Sequence, residues 1–121
     1  VFLAATNKAK RLVYVSYIGE VRRDELKRAL EEVGALLADF PAGFRLLSDL
    51  GRLESMDPAG VTEIGKLMEI CSKKGMELVV RVIPDPSKDI GLNILSFFHY
   101  GRRIRVVTCR DMMEAAKALA L

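Results

Sequence analysis

The chain is 121 residues long, enough for one domain built around a single buried core. Half of its residues are hydrophobic and 29% are charged, and no apolar run approaches the roughly 18–20 residues of a membrane-spanning helix. A net charge of +3, from 19 basic and 16 acidic residues, is too mild for the basic stripe of a dedicated nucleic-acid binder.

The first five residues, VFLAA, and the run RLVYVSYIG at 11–19 are rich in strand-forming residues, with the polar TNKAK between them. They predict a hairpin. From about Arg23 to Ala38 the period changes: Leu26, Ala29, Leu30, Val33, Leu36 and Leu37 share one face of a 3.6-residue wheel. Lys27, Arg28, Glu31 and Glu32 fall opposite, so this is an amphipathic helix, stopped by FPAG at 40–43. FRLLSDL at 44–50 reads as a short buried strand ending in a polar turn.

The stretch LESMDPAGVTEIGKLMEICSKKG at 53–75 frames a helix at both ends. The Asp57 carboxylate can accept from the free amides of a first turn, and Pro58 suits the first helical position because its missing N–H costs nothing there. Val61, Ile64, Leu67, Met68 and Cys71 form its expected buried arc, with Ile70 pointing outward. Lys73 and Lys74 suit the negative end of the dipole, and Gly75 is a ready C-terminal cap.

MELVVRVI at 76–83 predicts the next strand. Asp85-Pro86 then opens a third helix to about Tyr100, with Ile90, Ile94, Leu95, Phe97 and Phe98 inward and Leu92 and His99 outward. RRIRVVTC at 102–109 predicts a last strand, and Asp111 with Glu114 has capping-box spacing for a closing helix through Ala116 and Leu119. Strands alternating with helices imply an α/β fold: a mixed, mostly parallel sheet of four or five strands, about four helices, and the opening hairpin at an antiparallel edge. Residues 1–121 form one domain in this reading.

No constellation for catalysis emerges. Asp57 reads as a cap and Asp49 as a strand-end polar residue, so the two are not a working carboxylate pair. His99 is the only histidine, and it suits a helix C-terminus. Cys71 and Cys109 lack metal-type spacing and lack the basic, exposed setting that activates a thiolate. No phosphate-binding loop, dinucleotide fingerprint or zinc-protease motif occurs. The expectation is a non-enzyme with no cofactor and no metal. The scarcity of cysteine, and an opening VFLAAT too short for a signal-peptide core, predict a cytoplasmic location. Arg102, Arg103 and Arg105 read as a solvated strand entrance rather than a nucleic-acid site.

The landmarks, taken together, resemble the sulfate-transporter and anti-sigma-factor-antagonist (STAS) domain family. They are GEV at 19–21, the long amphipathic helix, LLSDL, SMDPAGV opening the second helix, KKGMELVVRVI, and the closing DMMEAAKAL. The resemblance covers about residues 10–120. It implies a functional point in the loop before the second helix, where the family typically reads Asp-Ser-Ser/Thr-Gly. In bacterial anti-sigma antagonists, the hydroxyl residue before that glycine is phosphorylated by a partner kinase that is also the anti-sigma factor. Here Asp57 and Gly60 match, whereas Pro58 and Ala59 replace the hydroxyl residues, and Ala59 stands at the acceptor position. A phosphate there would add about −1.5 to −2 charge to a docking surface, and an alanine cannot carry it.

The resemblance therefore implies a protein-docking module whose switch is absent, with a partner of the anti-sigma-factor or serine-kinase type. Asp57, Pro58, Ala59, Gly60, Thr62, Glu63 and Ile70 are the expected contact residues, and Ser55 and Thr62 flank the loop out of register with the acceptor. Two other readings stay open. One is a small-ligand binder, for a nucleotide or an apolar molecule, with IGLNILSFF of the third helix lining its pocket. The other is a homodimer, or one domain of a larger regulator, using the exposed edge of the first strand.

Overall fold

The computed structural model describes residues 1–85, 100 and 104–120. Among them the chain runs β1 (Phe2–Asn7), β2 (Leu12–Val21), α1 (Arg23–Leu37), β3 (Arg45–Met56), α2 (Val61–Lys73), β4 (Leu78–Val82), β5 (Arg105–Cys109) and α3 (Met112–Ala118). The five strands form one sheet in the order β1-β2-β3-β4-β5, antiparallel between β1 and β2 and parallel elsewhere. The mixed, mostly parallel sheet and the opening hairpin are as the sequence predicts. The helix expected at 86–100 lies outside the described residues, as do Leu92, His99, Arg102 and Arg103.

Strand alternation divides the core. Val13, Val15, Tyr17, Leu46 and Val79 point to one face, where α1 lays down Leu26, Val33 and Leu37 and α2 lays down Ile64, Leu67, Met68 and Cys71. Leu47, Val80, Val82 and Cys109 point to the other face, beneath Ala115 and Leu119. The Arg45 guanidinium donates to the carbonyl of Leu119 and, at 2.9 Å, to that of Lys10, which ties the end of α3 to the start of β3.

The sequence misplaces the end of β3. The strand does not turn at Ser48-Asp49-Leu50 but continues to Met56. Asp49 pairs with Val82, the last residue of β4, and beyond that point, among the described residues, β3 pairs with β2 alone. The polar residues mark that parting: the Asp49 carboxylate accepts the Gly51 N–H at 2.9 Å and the Tyr14 hydroxyl at 3.2 Å. The register with β2 slips twice on the way, and Gly19, at φ +65°, takes the left-handed conformation that a side chain disfavours.

The C-terminus of α2 is as expected. Gly75, at φ +94°, donates to the Ser72 carbonyl, and Met76 donates to that of Cys71 at 3.2 Å. This is the two-bond glycine cap that satisfies the last helical carbonyls.

Candidate functional site

β3 ends against the end of β2, where the Asp57 N–H donates to the Val21 carbonyl at 3.0 Å. The chain then makes one 3-10 turn, Pro58–Gly60, before α2 begins at Val61. Asp57 caps that turn as the sequence predicts, its carboxylate accepting the Ala59 N–H at 2.9 Å. Gly60 donates to the Asp57 carbonyl at 2.8 Å, closing the turn.

Gly60 is buried, and the reason is a close approach. A Cβ at this position would lie 2.5 Å from Leu26 Cδ1, which belongs to the packed core. The glycine lets α1 lie directly on the start of α2. Beside it Arg23, in the first turn of α1, donates from Nε to both carboxylate oxygens of Glu63 at 3.3 Å. Glu63 is 2% exposed, with Arg23 closing over it from solvent. Burial raises its carboxyl pKa, but its own backbone amide and then Arg23 outweigh that, so the group sits below the usual carboxylate range.

Four expectations for this region are corrected. Glu63 is not a contact residue on the surface but an internal clamp between two helix starts. Gly60 is likewise internal. Val61, placed in the buried arc by the wheel, is 52% exposed. Val61 is the first residue of α2, and side chains in a helix tilt toward its N-terminus, which aims this one away from the rest of the buried arc. Ile70 is half-buried against the α1/α2 core rather than outward. The surface that remains consists of Asp57, Pro58, Ala59, Val61 and Thr62, with Ser55 exposed on the strand before it. A missed signal was legible: Glu63 falls four residues before Leu67, on the inward side of the wheel, which calls for a buried partner.

Ala59 is exposed, and its backbone amide is already taken by Asp57. Asp49 stands on the opposite sheet face with Tyr14, separated from Asp57 by the last seven residues of β3, so the two aspartates form no pair. Both cysteines are free and buried, and burial pushes the Cys71 thiol up to about 12. The Cys109 thiol is also raised, by burial first and then by Glu114 and Asp111. No cluster of three or more metal-ligating side chains occurs among the described residues, and none of the described helices is long and apolar enough to cross a membrane.

A second feature opens where β3 leaves β4. Leu50, Gly51, Leu53, Met56, Ile83, Pro84 and Asp85 line a cleft of about 240 Å³. Leu50 and Met56 also border a cavity of about 30 Å³ that reaches the buried Tyr17, Ser48, Arg81 and Tyr100. That cavity has room for about one water.

By sequence, no family model and no curated protein matches the chain. By structure it is similar to several solved proteins. A DUF3478-family protein with a SpoIIAA-like fold from Shewanella loihica PV-4 superposes with a TM-score of 0.76 at 12% identity, covering 98% of this chain and 93% of that one. The unphosphorylated anti-sigma-factor antagonist SpoIIAA gives 0.64 at 15% identity, over 99% and 98% of the two chains. An anti-sigma-factor antagonist from Mycobacterium paratuberculosis gives 0.60 at 20% identity, over 100% and 94%. Together with the sheet order and the helix start at Asp57, these likenesses give the chain a SpoIIAA-like fold, the STAS-type fold of anti-sigma-factor antagonists.

Proposed function

We propose that this chain is a non-enzymatic, cytoplasmic protein-interaction module that docks a regulatory partner through the start of α2. The observation that carries the reading is the exposed Asp57-Pro58-Ala59 turn, held in shape by the Asp57 cap and by the buried Gly60 and Glu63. It has the form of the switch position in the STAS family but lacks the acceptor hydroxyl. Docking there is constitutive, and the partner is of the anti-sigma-factor or serine-kinase type that the fold suggests. The contact surface is Asp57, Pro58, Ala59, Val61 and Thr62.

Affinity capture from a lysate of the source organism tests this, with wild type and Ala59→Glu as parallel baits. A protein retained by wild type and lost with Ala59→Glu supports docking at this turn, because the glutamate puts charge where a phosphate would sit. Equal recovery on both baits removes the turn from the interface. Phosphate found on Ser55 or Thr62 of the native protein would overturn the constitutive form of the proposal.

The cleft at Leu50, Leu53, Met56 and Ile83 favours a second reading, a binder of a small apolar molecule. A nucleotide fits that lining less well, since among the described residues its charged member is Asp85, whose sign is wrong for phosphate. IGLNILSFF, the other expected wall, lies outside the described residues. Native mass spectrometry separates the readings: a retained apolar molecule favours the cleft, and its absence with no thermal shift across lipids and nucleotides removes it.

A further inference from the structure

The two ends of the sheet differ in charge. β2, β3, β4 and β5 run parallel and start in one row, Leu12 beside Arg45, Arg45 beside Leu78 and Leu78 beside Arg105. The turn from β1 into β2 lies at this end and carries Lys8, Lys10 and Arg11. The last turn of α2 delivers Lys73 and Lys74 to it, just ahead of β4. The Arg45 bond to the Leu119 carbonyl brings in the end of α3, with Lys117.

Most of this charge has no counter-ion within the chain. Lys10, Lys73, Lys74, Arg105 and Lys117 are exposed, and among the described residues none of them forms an ion pair. Two carboxylates stand at the same end, and each has a cation beside it. Asp39 pairs with Lys8 at 3.1 Å, and Glu77 lies beside Arg11 where both flank Gly43. The far end of the sheet has the opposite sign. Asp49, Glu54, Asp57 and Asp111 stand there without an ion pair among the described residues, against Arg52.

We propose that this basic end seats the chain on a membrane surface of anionic lipids, as a peripheral contact. The charge complementarity is direct: a cluster of four to eight lysines and arginines is what an anionic leaflet attracts. Other polyanions fit less well. The cations spread across the row from β2 to β5, about 14 Å, and onto both sheet faces through α2 and α3. That is a broad patch, not the groove that tracks a nucleic-acid strand. α2 and α3 also present their C-terminal, negative ends here, whereas phosphates held by backbone amides sit at helix N-termini. A protein interface centres on buried apolar anchors. The exposed large apolar side chains Val1, Leu3, Val61, Met112 and Met113 all lie toward the other end. Four of the five unpaired cations are lysines, whose compact charge acts without a fixed geometry. A fluid charged surface asks for no more than that. The same polarity sets the orientation, since the acidic end is repelled and the docking turn at Asp57 faces away from the bilayer. The contact therefore stands apart from the proposed function.

Vesicle co-sedimentation of the full chain tests the contact. Binding is expected to vesicles of phosphatidylcholine with about one-third phosphatidylglycerol, and not to phosphatidylcholine alone. It should fade as salt rises from about 0.05 to 0.5 M, because screening removes an attraction of this kind. Lys73→Gln with Lys74→Gln should weaken binding about tenfold or more, in a chain that still melts cooperatively. Lys27→Gln with Lys66→Gln removes the same charge from the exposed sides of α1 and α2 and should change binding by no more than about twofold. No binding to anionic vesicles at low salt, equal binding to neutral ones, or equal losses from the two lysine pairs overturns the proposal. So does capture of a DNA or RNA duplex of about 20 base pairs that anionic vesicles fail to displace, which assigns this end to nucleic acid instead.

Discussion

The starts of α2 and α3 use the same local device in different surroundings. In each, an aspartate accepts a first-turn amide at 2.9 Å, Asp57 from Ala59 and Asp111 from Glu114. Each also has a glutamate in that turn. Glu63 is buried against Arg23 of another helix, whereas Glu114 pairs in the open with Arg110, accepting its backbone N–H at 3.0 Å. The apolar residues of α3's first turn, Met112 and Met113, are 44% and 71% exposed. A cap is a local property, but a platform is made by what closes in behind the cap. Among the described helix starts, that of α2 has α1 packed onto it through Gly60 and Leu26, which backs its turn with the buried core.

Substitutions can break this contrast. The largest effect is expected from Gly60→Ala. Its Cβ must displace Leu26, a fully buried side chain, and overpacking of this kind costs about 1–3 kcal/mol. Chemical denaturation should show that loss. A wild-type midpoint would mean that α1 is not held against this turn.

The caps come next. Asp57→Ala should cost about 1 kcal/mol in global unfolding, because the turn it holds is shared with α1. Asp111→Ala should cost less, about 0.5 kcal/mol, and should appear mainly as faster amide exchange in α3, a seven-residue helix that can open alone. Equal global costs would erase the distinction between the two starts.

Acid sharpens the comparison further. The Glu63 carboxyl is depressed in the folded chain, so its contribution is fully present above its unfolded value of about 4.5 and is lost as pH falls through the lower folded value. Melting temperatures from pH 7 down to pH 3 should therefore show wild type above Glu63→Gln at neutral pH, with the gap closing in acid. A gap independent of pH would mean that Glu63 acts by packing rather than by charge. The smallest effect on stability belongs to Ala59→Glu. The site is exposed, so unfolding should shift by no more than about 0.5 kcal/mol while partner capture is lost.

Much of this architecture is legible in the residues. Periods of two and 3.6 place each described strand and helix, and Asp57, Gly75 and Asp111 mark helix ends by chemistry that acts within a few bonds. The failures share one cause. Ser48-Asp49-Leu50 looks like a turn because its polar groups need partners, and nothing local says that Gly51, Tyr14 and β2 supply them. Val61 matches the buried phase of its helix, yet as the first residue of α2 it stays 52% exposed. Glu63 shares the inward side of its wheel with Leu67, but nothing near it in the chain says that its partner is Arg23, forty positions earlier.

The sequence by itself determined the α/β order, the hairpin, the capped start of α2 and the lack of a hydroxyl at Ala59. These follow from periodicity and from hydrogen bonds between near neighbours. The tertiary structure alone decided that β3 outruns β4, that Gly60 lies inside against Leu26, that Glu63 meets Arg23, and that, among the described residues, β1 stands at the edge of the sheet. Each of those depends on which distant segment comes to lie alongside, and long-range packing is not written in any one stretch of the chain.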